Sequence, residues 1–184
     1  PGLYVGCPSN TQDAYGMLKA SIRSDNPVLF TESIGLYRMP GPMPDEDDYV
    51  SEIGKAAVTR EGTDVTLITL MRGVRWCEKA ARQLEKDGIS AEIIDVRWLR
   101  PLDTETIFNS FKKTHRAVVV EEMLPMYSFG SEIAAQIQDN CFDWMDAPVK
   151  RLSQVDVPLP YSKELELMAY PQVEDIVQAV KEIV

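Results

Sequence analysis

Histidine is almost missing from this sequence: His115 stands alone, so any Ser-His-Asp or Cys-His mechanism has one residue to draw on. Cysteine is scarce as well. Cys7, Cys77 and Cys141 are scattered and form no C-x-x-C pair, which argues against a disulfide framework and for a reducing compartment. So few Cys and His ligands also argue against a transition-metal site. Basic residues are outnumbered, 19 Lys and Arg against 29 Asp and Glu, for a net charge of -10. Nucleic-acid binding, which needs Lys and Arg against phosphate, has no support. An acidic surface favours solubility and the steering of basic partners. No stretch of about 18 apolar residues reads as a bilayer span. Neither G-x-G-x-x-G nor a Walker sequence occurs, so a glycine-rich phosphate cradle has no support either.

What is present reads as an α/β chain. Its 184 residues can bury a sizeable core, as one domain or one domain with an appendage. Residues 1–32 read as an extended segment, a helix and a buried strand Val28-Leu29-Phe30, with Ser9 and Gln12 spaced as a capping box before the stripe Ala14, Met17, Leu18, Ile22. Asp25-Asn26-Pro27 ends that helix, because the residue before proline is pushed out of helical geometry. From Ser33 to about Val50, prolines and the acidic run Asp45-Glu46-Asp47-Asp48 read as a linker that repels itself into solvent. A calcium loop would need acids at spaced positions rather than consecutive ones.

Beyond the linker, period-2 and period-3.6 patterns alternate. Lys55 to Thr59 and Asp64 to Met71 read as a hairpin around Arg60-Glu61-Gly62-Thr63. Val74, Cys77, Ala81 and Leu84 mark a helix stopped by Gly88. Ile89 to Val96 is a strand, Asp103 caps a helix carrying Ile107, Phe108 and Phe111, and Ala117 to Glu121 is a buried strand. A helix with Ile133, Ala134 and Ile137, a short strand at Val149 and a last helix starting at Pro171 complete the chain, the last presenting Val173, Ile176, Val177, Val180 and Val184. The alternation implies a three-layer α/β/α architecture with a mostly parallel sheet.

Candidate chemistry is thin. His115 sits at a helix-to-strand junction, where a solvated loop histidine is the simpler reading than a catalytic base. Glu121 and Glu122 end a parallel strand, where open α/β sheets place ligands; they read as an acid/base pair or, more simply, as carboxylates facing water or capping the next turn. Phe129-Gly130-Ser131-Glu132 starts a helix, where Gly130 reads as a turn residue before it reads as a place for a partner backbone to approach. Trp76, Trp98 and Trp144 read as core or subunit contacts rather than one binding face.

The order of short motifs says more than any one of them. Arg100-Pro101-Leu102-Asp103, Val118-Val119-Val120-Glu121-Glu122, Asp146-Ala147-Pro148-Val149 and Asp156-Val157-Pro158-Leu159-Pro160-Tyr161 resemble the beta subunit of the thiamine-diphosphate-dependent 2-oxo acid dehydrogenases, pyruvate dehydrogenase above all. Pro1-Gly2-Leu3, Pro8-Ser9, Asp13-Ala14, Gly16-Met17-Leu18-Lys19, Ile22-Arg23 and Pro27-Val28 look like the end of that family's pyrimidine-binding domain. Ile53-Gly54-Lys55-Ala56, Glu61 to Thr66 and Arg97 to Asp103 look like its transketolase-type C-terminal domain. The resemblance thus divides the chain into a pyrimidine-binding tail at 1–32, a linker at 33–50 and a transketolase C-terminal-like domain at 51–184.

It implies a division of labour. The family reaction is oxidative decarboxylation of pyruvate on thiamine diphosphate, with acetyl transfer to the lipoyl arm of an acyltransferase. Its cofactor-activating glutamate and loop histidine come from a stretch upstream of Pro1, and the alpha subunit holds diphosphate and magnesium. The segment in hand is therefore expected to be a piece of a longer or processed chain, inactive alone. It would contribute contacts to the alpha subunit, to a second beta subunit and to the acyltransferase's subunit-binding domain. The resemblance also maps a potassium ion, held by backbone carbonyls, onto Ser21, Ser24 and Asn26, with Ser24 where aspartate is usual. It maps acyltransferase docking onto Asp146 and the Val184 carboxylate. Such a subunit would sit in bacterial cytoplasm, mitochondrial matrix or plastid stroma. The other readings are a non-catalytic module that docks a basic domain, or another thiamine enzyme such as a branched-chain 2-oxo acid or acetoin dehydrogenase or deoxyxylulose phosphate synthase.

Overall fold

Strand β1 (Tyr4–Gly6), helix α1 (Thr11–Arg23) and strand β2 (Val28–Phe30) open the chain in the computed structural model, which describes residues 2–184; Pro1 lies outside them. A single 3-10 turn, Ile34–Leu36, interrupts the irregular stretch that follows. Then come β3 (Ala57–Arg60), β4 (Val65–Thr69), α2 (Arg72–Lys86), β5 (Ala91–Asp95), β6 (Trp98–Arg100), α3 (Thr104–Thr114), β7 (Ala117–Val120), α4 (Phe129–Cys141), β8 (Lys150–Leu152), α5 (Lys163–Ala169) and α6 (Val173–Lys181).

The main sheet has the order β3-β5-β4-β7-β8. Every pairing in it is parallel except β3 with β5. Alternation along the buried strands divides the core between two faces. Val65, Leu67, Ile93, Val118 and Val120 meet α2 and α6 through Cys77, Ala81, Leu84, Ile176 and Val180. Ile68, Ile94 and Val119 meet α3 and α4 through Ile107, Phe111, Ile133 and Ile137. This is the three-layer α/β/α arrangement. Each fully buried Leu or Ile contributes about 1.5–3 kcal/mol, so the central strands carry much of the stability.

Local signals hold where capping and periodicity decide. Asp103 caps α3, accepting from Thr106 N at 3.2 Å and from Thr106 Oγ1 at 2.8 Å. Gly88, at φ +81°, ends the α2 turn as expected. The last helix starts two residues after Pro171, closed by a Gln172/Asp175 capping box.

Four expectations are corrected. β3 and β4 do not form a hairpin, because β5 lies between them; β4 is instead paired on both edges, by β5 and by β7. Ser9 and Gln12 do not cap α1. Asn10 does, accepting from Asp13 N at 2.9 Å, while Ser9 is drawn away to Asp95. β2 is only half-buried, and Leu18, Ile22 and Leu29 of the expected stripe and strand are exposed; Met17 of that stripe is buried as expected, with Ala20 beside it. The acidic run does not simply repel itself: Asp48 pairs with Lys19 at 2.9 Å and Arg23 at 2.6 Å, and Asp47 O accepts from Tyr15 and Lys19. Arg23 and Lys19 hold the Asp48 carboxyl down at about 2.

A second sheet, β2-β1-β6, joins the N-terminal segment to the rest. β1 runs parallel to β2 and antiparallel to β6, which follows β5 directly in the chain. Trp98 of β6 is fully buried at this seam.

Candidate functional site

The C-terminal ends of the parallel strands, where a ligand is expected, carry Glu121 and Glu122. The two part company. Glu121 turns inward with 1% exposure and accepts from Ser128 Oγ at 2.7 Å, Gly130 N at 2.9 Å, Ser153 Oγ at 2.6 Å and Arg151 at 3.2 Å. It caps the first turn of α4, whose own N-cap Ser128 makes no side-chain cap. Gly130 admits this carboxylate rather than a partner backbone, since a Cβ there would lie 2.7–2.8 Å from it. Glu122 instead pairs with Arg72. Arg72 in turn stacks 4.5 Å from Tyr170 and 5.6 Å from Trp76. The capping role holds and an acid/base pair does not form.

His115 ends α3 in left-handed geometry, stacks on Trp144 with centroids 5.8 Å apart, and places Nδ1 2.8 Å from Trp144 O. It is packed rather than free in a loop. The three tryptophans stay apart: Trp98 is core, Trp76 edges it beside Tyr170, and Trp144 is exposed on His115.

At the turn after α1, Ser21 O accepts from Ser24 N at 3.3 Å, Asn26 N donates to Ser24 Oγ at 3.1 Å, and Asn26 Nδ2 donates to Tyr4 OH at 3.2 Å. The carbonyl, hydroxyl and phenol oxygens so engaged are neutral, and Asp25 lies in the same turn. Among the described residues, no cluster of three His, Cys, Asp or Glu could hold a metal.

Asp146 is exposed and pairs with Arg116 at 3.0 Å, and its N–H donates to His115 O at 3.1 Å. Glu182, two residues before Val184, pairs with Lys150 at 2.9 Å. Arg116 precedes β7 and Lys150 begins β8, so the basic partners of Asp146 and Glu182 both lie toward the N-terminal edge of the sheet. That edge is opposite the Glu121 end.

A third polar group lies where the two sheets meet. Asp95, fully buried at the end of β5, accepts from Ser9 Oγ and from Arg97 N, the latter at 3.2 Å. Arg97 sits at φ 59° between β5 and β6 and gives its guanidinium to Asp13, 2.6 Å away, rather than to Asp95. Burial raises the Asp95 carboxyl to about 7; Ser9 opposes this, the Asp13 charge adds to it, and Arg97 opposes it.

Residues 54–176 match the transketolase C-terminal domain family. The chain belongs to that family. A split-gene transketolase in its inactive beta4 tetramer superposes with a TM-score of 0.81 at 26% identity, covering 100% of this chain and 57% of that one. Relatives in sequence are named as E1 beta subunits of pyruvate dehydrogenase. The mitochondrial one of Caenorhabditis elegans is 50% identical over 98% of this chain and 53% of its own length. That of Rhizobium meliloti is 46% identical over 100% and 40%, and the mitochondrial one of Saccharomyces cerevisiae 44% over 100% and 51%. The chain thus spans about half the length of the relatives it matches.

Within this transketolase-type domain, the Asp95 group is the feature that sequence reasoning passed over. A signal was there: Asp95 interrupts the apolar run Ile93-Ile94-Asp95-Val96, and a carboxylate inside a buried strand calls for a partner. The partner, Ser9, lies too far away in sequence to be read locally.

Proposed function

We propose that this chain is the C-terminal half of the beta subunit of a pyruvate dehydrogenase E1 component. The observation that carries this is 44–50% identity to such subunits over at least 98% of the chain. In the assembled enzyme, an alpha subunit and an upstream beta segment would hold thiamine diphosphate and magnesium, and the cofactor would supply the carbanion chemistry for decarboxylating pyruvate before acetyl transfer to a lipoyl group. The carboxylates at the strand ends here are engaged internally, Glu121 by α4 and Ser153, Glu122 by Arg72. They do not suit a diphosphate and magnesium pair, so the work of this segment is support and tethering.

Exposed apolar residues supply contact area for assembly with the alpha subunit and a second beta subunit. Ile34, Tyr37 and Met43 lie along the stretch after β2, and Met126 and Tyr127 lie beyond β7. The boundaries 1–32, 33–50 and 51–184 divide this work between a pyrimidine-domain tail, a linker and the C-terminal domain. Three free cysteines suit the bacterial cytoplasm, mitochondrial matrix or plastid stroma. Restoring the upstream beta residues and coexpressing the alpha chain should give thiamine-dependent decarboxylation of pyruvate. No decarboxylation, or preference for a branched-chain 2-oxo acid, would overturn the assignment.

Two sites belong to the same reading. Asp146 and the Val184 carboxylate would receive the basic subunit-binding domain of the acyltransferase. Asp146→Ala combined with removal of the last few residues should weaken that binding about tenfold, ~1.4 kcal/mol, with a shallower salt dependence. Unchanged affinity in titration calorimetry would count against the site. Carbonyls of Ser21, Ser24 and Asn26 would hold potassium, and KCl should then raise the melting temperature above NaCl at equal ionic strength.

A further inference from the structure

We propose that the Ser9–Asp95–Arg97–Asp13 cluster is a proton-controlled latch that seats the β1–α1 segment on the five-stranded sheet, tight when Asp95 is protonated and loose when it is charged.

The geometry supplies two carboxylates and one guanidinium at a buried seam. Arg97 spends its charge on Asp13, which is itself buried and held by Asn10 Nδ2 at 2.6 Å. Among the described residues, Arg97 Nε has no hydrogen-bond partner. Asp95 is left with one hydroxyl and one backbone N–H, which is meagre for a buried anion. A neutral Asp95 suits the site better. Its hydroxyl can donate to Ser9 Oγ, or Ser9 can donate to it, and Asn10 Nδ2 reaches the same Ser9 oxygen at 3.4 Å.

The groups facing Asp95 come from every neighbouring element. Ser9, Asn10 and Asp13 come from the start of α1, and Arg97 from the β5–β6 kink. Cys7 follows β1, and its thiol is pushed up to about 11 by burial and by the Asp95 charge. Tyr49 lies near enough for Arg97 and Asp13 to act on it. None except Arg97 carries positive charge. The latch also has a mechanical lever, since Cys7 N donates to Arg97 O at 2.7 Å and Gly6 pairs with Trp98. Ser9 is thereby tied to the strand that crosses between sheets.

The sign follows from linkage. Folded Asp95 titrates at about 7 against an ordinary 3.8, so between these values the seated chain holds a proton that an opened, hydrated Asp95 has released. Stability of the seat falls as pH rises from about 4, by up to a factor of ten per pH unit, and levels off above about 7.

Hydrogen exchange on the full chain, corrected for intrinsic rates, tests this. Protection of α1 amides should be about 10- to 100-fold lower at pH 8 than at pH 5. At pH 8 they should exchange faster than those of α2, showing that the segment lifts before the chain unfolds. Asp95→Asn should abolish the pH dependence. An equal fall in that variant, or equal exchange of α1 and α2 at pH 8, would overturn the latch. If the variant folds poorly, the wild-type chain still decides: the Asp95 carboxyl carbon should titrate near pH 7 by NMR, and a midpoint near 4 would sink the proposal.

Discussion

Glu121→Ala is expected to cost about 3–5 kcal/mol of unfolding free energy, because removing one partner from a buried charged network strands all the others. Four donors converge on this carboxylate: Ser128 Oγ, Gly130 N, Ser153 Oγ and Arg151. Truncation leaves the Gly130 N–H without its acceptor and Arg151 without its counter-charge, with only Pro125 O and Ser128 Oγ still accepting from it, and opens space at the start of α4. Glu121→Gln keeps the shape and one acceptor oxygen, but its amide must face either the Gly130 N–H or the Arg151 and serine donors. It should cost about 1–3 kcal/mol. Urea unfolding of both variants checks the order. If the alanine variant loses less than about 1 kcal/mol, the carboxylate is not what holds α4.

Gly62→Ala should destabilise by about 3 kcal/mol, at the upper end for overpacking. A Cβ at Gly62 would overlap the backbone at Ala91 C and Glu92 N, the first residues of β5. Backbone cannot rotate away as a side chain can. The β3–β4 connection is pinned to the same place: Thr63 N and Asp64 N donate to Ser90 O at 3.1 and 2.9 Å, and Ser90 N donates to Asp64 Oδ2 at 2.7 Å. Lifting the loop would also draw Gly62 N away from Glu92, the buried partner of Lys113. Gly88→Ala is the control. It meets nothing within 4 Å but must hold φ +81°, a backbone cost of about 1 kcal/mol. A thermal melt that ranks Gly88→Ala as the more damaging change would contradict the close approach of the loop to β5.

Much of the chain was legible because the deciding forces are local. Asp103 and Thr106 are three residues apart and form a cap wherever they meet. Ile107 with Phe111, and Cys77 with Ala81 and Leu84, declare buried faces by spacing alone. The hairpin misreading has the opposite cause. β3 and β4 both look like strands, but their separation depends on β5, more than thirty residues downstream of β3, whose buried run of Ile93 and Ile94 takes the place between them. Glu121 could be read as capping the next turn, but not as the acceptor for Arg151 in β8 and Ser153 just after it.

By itself, then, the sequence determined most of the helices and strands, though not β6 or α5, together with the acidic charge balance and the kinship with transketolase-type beta chains, since periodicity, caps and motif order act within a few neighbouring residues. Tertiary structure alone decided the strand order, the split between Glu121 and Glu122, and the burial of Asp95 against Ser9. Each depends on groups brought together across long loops: Ser9 and Asp95 are 86 positions apart, and burial at the seam between the two sheets sets the cost of the charge they share.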